Sequence, residues 1–322
     1  MTSEIMTVEK AIELAPARPL DQNPAAVYLA GLTPTGRRSQ LHALRVVAEI
    51  LINQVGADPL ALPWEQLRYQ HIAGIRARLV ERYKPATVNR TLSAIRGVMK
   101  AAWRLGQTSS EDYYRAVDIK QVEGETIPAG RELSAGELSA LMSDCEHDTT
   151  DTAGARDAAI IAILYAAGLR RDEVVRLDLE NYDTESGRLL VTGKRSKERT
   201  AYLTNGALDA MADWLAIRGD DPGPLFLAIN KGGAIQPGRM TNQAIYDILA
   251  KRGKRAGVKK FTPHDMRRTF VSDLLDAGAD IATVAKMAGH ASVNTTARYD
   301  RRTEEAKQKA AAKLHIPYRR RT

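Results

Sequence analysis

At 322 residues the chain is long enough for two domains, each with its own core. Its single cysteine, Cys145, excludes an intrachain disulfide framework and suits a reducing cytoplasm. The formal charge of +8 and pI near 9.5 point to a polyanionic partner, while three Phe and three Trp argue against a protein that stacks single-stranded bases. The sequence has no apolar run long enough to span a bilayer and no basic-then-apolar leader, so a cytoplasmic protein without a membrane partner is expected.

Residues 1–22 show no sustained period and read as a mobile arm. From Arg38 to Gln54 the pattern turns helical, with Leu41, Leu44, Ala48, Leu51 and Val55 at helical spacing, until Gly56 and Pro59 stop it. A second helix is predicted from Gln70 to Tyr83, with Ile72, Ile75 and Leu79 inward. Pro85 opens a third, where Val88, Leu92, Ile95, Met99 and Trp103 form the cleanest apolar stripe in the chain. Its other face carries Arg90, Arg96 and Lys100, which read either as solvated charge or as DNA contacts. Ser109–Val117 is a fourth helix. Residues 23–120 therefore form a small α-helical domain, and 121–133, with Gly124, Pro128 and Gly130, is the linker.

The second domain, 134–302, opens on the capping box of Ser134 and Glu137. The apolar run Ala158–Ala167 predicts a buried helix that ends at Gly168-Leu169. Arg170 follows, and an arginine at the end of a buried helix needs an acceptor: Glu173, a carbonyl or a ligand phosphate. Arg188–Thr192 and Arg199–Thr204 read as strands of a hairpin whose tip holds Lys194, Arg195 and Lys197. Such a tip is either an edge guarded against pairing or a basic finger laid along DNA. A helix over Asn205–Arg218, a short strand at Leu225–Leu227 and a helix over Thr241–Lys251 come next. The last runs into Lys251–Lys260, where Lys251, Arg252, Lys254, Arg255, Lys259 and Lys260 meet no acid. This block is the strongest phosphate-binding signal by charge alone, and Arg199 and Arg239 are further candidate DNA contacts.

Phe261–Arg301 organises the rest. Thr262-Pro263 starts a helix with Met266, Phe270 and Leu274 on its packed face, and His264 and Arg267 share its first turn. Gly278 ends it, and a second helix follows with Ile281, Val284 and Met287 inward. Gly289-His290 breaks that one, and Ser292 caps a third that leads to Tyr299. Each of these features is ordinary by itself; a lone His-x-x-Arg, or a tyrosine near a helix end, is usually packing. Together they place two histidines, an arginine and a tyrosine around turns between small helices.

The chain resembles the tyrosine recombinases, the family of phage integrases and Xer-type recombinases, over residues 24–316. The resemblance rests on Gly168-Leu169-Arg170 with Glu173, on Lys194 in its hairpin, on His264 and Arg267, on Gly289-His290, and on Tyr299 nine residues later. The sequence departs from the family's habit at Met266, where Leu is frequent, at Arg268, where His is frequent, and at Arg195, which replaces a turn glycine. The resemblance implies a mainly α, two-domain DNA clamp with a small β-sheet and hairpin in the C-terminal domain.

It implies Arg170 and Arg267 as ligands of the scissile phosphate, His290 beside them, and Tyr299 as nucleophile. His264 would assist the phenol, which ionises near pH 10 and is weak at neutral pH. Lys194 would protonate the leaving 5′-oxygen, and Glu173 would orient Arg170 or a histidine. A 3′-phosphotyrosyl ester keeps the bond energy, so no cofactor or metal is expected. The implied partners are double-stranded DNA recombination sites, accessory DNA-bending proteins, and a homotetramer formed through exchange of the tail, residues 303–322, in a nucleoid-associated, cytoplasmic protein. A type IB topoisomerase-like enzyme shares the chemistry, and a non-cleaving accessory protein would share the fold. The helical N-terminal domain and the tail favour recombination, and the intact set of six catalytic side chains argues against the accessory protein.

Overall fold

The computed structural model describes residues 18–124, 130–193 and 198–299, with 311 and 317. The chain divides into two units, Met1–Ile127 and Pro128–Thr322.

In the first unit, α1 (Pro24–Ala30) is capped by the Asn23 side chain, which accepts from the amides of Ala25 and Ala26. The sequence pattern does not reveal this helix, because its seven residues bury only Pro24, Ala25 and Leu29. Thr33 and Pro34 start α2 (Pro34–Ile52), earlier than expected, and Asn53 ends it in the left-handed conformation. Val55 therefore lies beyond the helix and is exposed rather than inward. Next come α3 (Tyr69–Arg82), α4 (Pro85–Arg104) and α5 (Ser110–Val117). Val88, Leu92, Ile95 and Met99 of α4 are buried against Trp64, Ile72, Ile75 and Leu79. Each such side chain contributes about 1.5–3 kcal/mol. Residues 18–22, read as part of an arm, are fastened to this unit: Arg18 pairs with Glu65 at 2.6 Å, and Gln22 O accepts from Gln107. The linker's first stretch is held too, by reciprocal bonds between Asn89 and Val122.

In the second unit α6 (Ala135–Glu146) begins with the expected capping box. It packs on α7 (Asp151–Ala166), whose Ile160, Ile161, Ile163 and Leu164 are all buried at the centre of the core. After α8 (Arg171–Arg176) come β1 (Tyr182–Asp183), β2 (Arg188–Thr192) and β3 (Glu198–Tyr202), an antiparallel sheet in that order. Leu189 pairs with Ala201 and Val191 with Arg199. Opposite residues share a face, so Arg199 points the way the buried Val191 does.

α9 (Gly206–Arg218) leads to β4 (Leu227–Ile229) and β5 (Ile235–Arg239), a second antiparallel pair. The expected strand at Leu225–Leu227 is thus shifted: Leu225 and Phe226 are core residues ahead of it. β5 contains Pro237 and Gly238, which read as loop but are tolerated at a sheet edge. α10 (Asn242–Arg255) runs through half of the basic block. Then follow α11 (Pro263–Asp276), α12 (Ile281–Ala288) and α13 (Val293–Ala297). Phe270, Val271, Leu275, Val284, Ala288 and Tyr299 form one buried cluster there. On α12 the inward face is Val284, Ala285 and Ala288, whereas Met287 is exposed. The fold is mainly α with small antiparallel sheets. Among the described residues no helix is long and apolar enough to cross a membrane.

Candidate active site

Two glycines set the site. After α7, Gly168 has φ +56°, and a Cβ there would fall 2.2 Å from the Phe270 ring, so only glycine lets the chain turn this close. Arg170 follows as N-cap of α8. At the end of α12, Gly289 has φ +64° and a Cβ there would press on Arg199 at 3.1 Å.

Between these turns three arginines converge. Glu173, whose side chain is 1% exposed, accepts from the Arg170 amide at 2.8 Å and from Arg170 Nη1 at 2.8 Å. It also accepts from Arg199 Nη1 at 3.1 Å and Nη2 at 2.8 Å. Burial by itself pushes the Glu173 carboxyl up, but Arg199 and then Arg170 outweigh it and hold the group at about 2. Arg267, 3% exposed, donates to Gly168 O at 2.5 Å and to Ala288 O. Arg170 Nη2 reaches Gly289 O at 3.3 Å, and Arg199 Nε reaches Met287 O at 3.2 Å. Three successive carbonyls at the C-terminus of α12, the negative end of its dipole, therefore each take a different guanidinium. Burial, then the Arg170 charge, lowers the Arg267 pKa to about 9, so it stays charged at neutral pH.

The histidines and tyrosine complete the group. His264, in the first turn of α11, has Nε2 3.5 Å from the Tyr299 hydroxyl. His290 Nδ1 lies 2.8 Å from Thr296 Oγ1, and its ring runs at 19° to the Tyr299 ring, 6.3 Å away. Desolvation, then the Arg267 charge, lowers both pKa values, that of His290 to about 4. Tyr299 is 9% exposed, with the Arg268 guanidinium 5.3 Å from its ring centroid. A recess of about 400 Å³ lined by Arg170, Tyr246, His264 and Arg267 opens beside them.

The structure thus gathers Arg170, Glu173, His264, Arg267, His290 and Tyr299, and adds Arg199 and Thr296. By charge Arg199 reads as a DNA contact; the alternation of β3, with Ala201 and Arg199 on one face, is the signal that turns it inward. Thr296 is fully buried and carries no motif of its own. Lys194, Arg195, Lys197 and the tail at 303–322 fall outside the described residues, apart from positions 311 and 317.

The DNA-contact set divides. Arg90, Lys100, Lys251, Lys254, Lys259 and Lys260 are exposed. Arg96 is half-buried and donates to Val117 O and Ile119 O, tying down the end of α5. Arg239 pairs with Asp178 at 2.5 Å and caps Val175 O and Leu177 O. Arg255 pairs with Asp144 and Asp148. Arg252 corrects the sequence reading outright: it is fully buried and paired with Asp144, Asp148 and Asp157. Because α10 continues to Arg255, Arg252 falls on the same face as Ile245 and Leu249, and no phosphate can reach it.

The profile of the phage integrase family matches residues 131–306, more than half of the chain. The chain belongs to the phage integrase family. A tyrosine recombinase XerD of Lacticaseibacillus casei is 34% identical to the recombinase over 222 residues, which is 67% of this chain and 72% of the relative. A tyrosine recombinase XerC of Alcanivorax borkumensis is 30% identical over 244 residues, 74% and 76% of the two chains. The fold matches the Tn1549 transposon integrase in complex with transposon right end DNA, with a TM-score of 0.68 at 17% identity over 92% of this chain and 100% of that one. It also matches the XerH site-specific recombinase bound to a palindromic difH substrate, at 0.63 and 20% over 91% and 83%. The recombinase is accordingly an enzyme of the class expected from its sequence, a tyrosine site-specific recombinase.

Proposed function

We propose that the recombinase breaks and rejoins double-stranded DNA at specific sites with Tyr299 as its nucleophile. The phenolic oxygen forms a bond to the scissile phosphorus, the bond from phosphorus to the 5′-oxygen breaks, and a 3′-phosphotyrosyl ester is left. The phenolic proton passes towards His264, and Lys194 supplies the proton that the 5′-oxygen takes up. A 5′-hydroxyl from a second duplex then attacks the ester and releases Tyr299, and two such exchanges pass through a Holliday junction. Arg170 and Arg267 hold the phosphoryl oxygens. Each has five N–H donors, and two on each are bonded to protein among the described residues, so donors remain for the phosphate. His290 stays neutral and gives a hydrogen bond rather than a charge. The single observation that carries this reading is the Tyr299 hydroxyl lying 3.5 Å from His264 Nε2 next to these guanidiniums. The separation shortens when substrate closes the site.

The first unit and the exposed lysines of the second contact the DNA backbone. Four copies assemble on two sites, with accessory DNA-bending proteins as further partners, in the cytoplasm where the nucleoid lies. An apolar groove of about 760 Å³, lined by Leu138, Met142, Ala166, Phe270 and Leu274, supports docking of a second copy's tail on this unit.

The test is a covalent-adduct assay on DNA that the protein itself selects from a random pool. Tyr299→Phe should bind that DNA with unchanged affinity and leave no adduct on a denaturing gel. An adduct formed by the Phe variant assigns the nucleophile elsewhere.

A further inference from the structure

The stretch that opens the second unit lies along α11 as a strap, held by contacts that strand cleavage does not use. The Arg131 amide donates to Asp265 Oδ1 at 2.9 Å, and the Leu133 amide donates to Thr269 Oγ1 at 2.9 Å. Ser272 Oγ donates to Glu132 Oε1 at 2.8 Å. The Arg131 guanidinium reaches Lys259 O, Lys260 O and Glu137, so the strap is pinned at both edges. At Gly130, φ is +110° and a Cβ would fall 2.2 Å from Asp265 Oδ1. The strap therefore approaches α11 as closely as a backbone can.

One side chain links this strap to the nucleophile. Arg268 is 3% exposed, donates from Nη1 to Gly130 O at 2.6 Å, and sets its guanidinium carbon 5.3 Å from the centroid of the Tyr299 ring. We propose that Arg268 is a positioning residue that clamps the face of the Tyr299 ring and makes the nucleophile's placement depend on the strap at 130–133. The inference rests on the reading of Tyr299 as nucleophile. A cation over an aromatic face is attracted by the ring quadrupole, and the attraction strengthens when water is excluded. A guanidinium is planar, and in a buried position it has no solvent to swing into, so it restrains both the tilt and the lateral slip of the ring. Arg268 takes no part in the chemistry. Its effect is on where the phenolic oxygen sits, and a displacement of about 1 Å in a reacting group costs on the order of 100-fold in rate.

The experiment compares Arg268→Met, Arg268→Lys and Thr269→Val with the full-length protein. The Met variant keeps length and bulk but removes cation and donor; the Lys variant keeps the charge without the plane. Thr269→Val loosens the strap without touching the ring. Three quantities are read for each: the single-turnover rate of adduct formation at saturating DNA, the dissociation constant, and the ring-flip rate of isotopically labelled Tyr299 by NMR. The Met variant should lose roughly 10- to 100-fold in adduct rate, with its dissociation constant unchanged and faster ring flips. The Lys variant should fall between, and Thr269→Val should move rate and ring flips together by a smaller amount. A Met variant with wild-type adduct rate overturns the inference. So does a rate loss with unchanged ring flips, which marks a purely structural role. If the Met variant does not fold, a folded Lys variant with wild-type rate and ring flips overturns it equally. Tyr299→Phe, run alongside, keeps the two readings apart: an adduct there sinks the assignment of the nucleophile, whereas a silent Arg268→Met sinks only the clamp.

Discussion

Glu173→Gln strikes the point where the site's positive charge is balanced. The carboxylate takes hydrogen bonds from Arg170 and Arg199 and is almost fully buried. A glutamine keeps one acceptor oxygen but presents an amide N–H₂ to a guanidinium, and the nearby Arg267 then faces two uncompensated cations. The carboxyl is held at about 2 against an ordinary 4.5, which corresponds to about 3 kcal/mol at 1.36 kcal/mol per pH unit. Removing one partner of a buried pair independently costs roughly 3–5 kcal/mol. A loss of about 3 kcal/mol in a unit of this size lowers the melting midpoint by roughly 6–12 °C. Because the folded pKa is depressed, the contribution is complete above the unfolded value and is lost as pH falls towards about 2. The gap in stability between wild type and variant should therefore be flat at neutral pH and should narrow below about pH 4.5. The assay is thermal denaturation of both proteins across that range. A variant melting within about 2 °C of wild type at neutral pH, or a gap that widens on acidification, refutes the reasoning.

Thr296→Val should slow adduct formation by about 10-fold, the worth of one hydrogen bond that fixes the His290 ring, whereas Thr296→Ser should keep most of the rate; equal rates for the two variants count against that contact. His290 has a folded pKa near 4, below its unfolded value, so the unfolded chain binds the extra proton and stability falls as pH drops from the unfolded pKa towards 4. His290→Gln should flatten that slope in denaturation curves taken without DNA. Arg252→Met removes the fully buried cation shared by Asp144, Asp148 and Asp157, leaving them only Arg255 and Arg156, and should destabilise the protein by roughly 3–5 kcal/mol while the salt dependence of DNA binding by the folded fraction stays as it was. Lys254→Ala, at an exposed position, should do the reverse: unchanged melting, and a salt slope smaller by about 1.

The residues of the site were legible because phosphoryl chemistry restricts the side chains that can serve and helix starts fix their spacing. Thr262-Pro263 places His264 and Arg267 on one turn, and Gly168 and Gly289 mark the turns on either side of the arginines. The long amphipathic helices were legible for the usual reason, a repeated apolar stripe, as in Val88 to Met99 of α4. What was missed lacked a local signature. α1 is too short to show a period. β5 carries Pro237 and Gly238, which are loop residues everywhere except at a sheet edge. Arg252 was read by its charge, yet its acidic partners sit about a hundred positions earlier in α6 and α7 and at the turn between them. For Arg199, charge again outweighed register: the strand alternation that faces it towards Glu173 was visible, but its partner is 26 residues away.

Much of what holds the site's arginines is backbone. Met287, Ala288 and Gly289 lend Arg199, Arg267 and Arg170 their carbonyl oxygens, and no side-chain substitution at 287 or 288 deletes those atoms. The site should therefore tolerate drift in the identity of these positions, provided α12 still ends where it does. Length is another matter. Inserting or deleting one residue within α12 rotates its last carbonyls by about 100° and shifts them by about 1.5 Å, which would release three guanidiniums at once. In families of such chains, gaps in this short helix should be rarer than substitutions, because its ending rather than its composition carries the function.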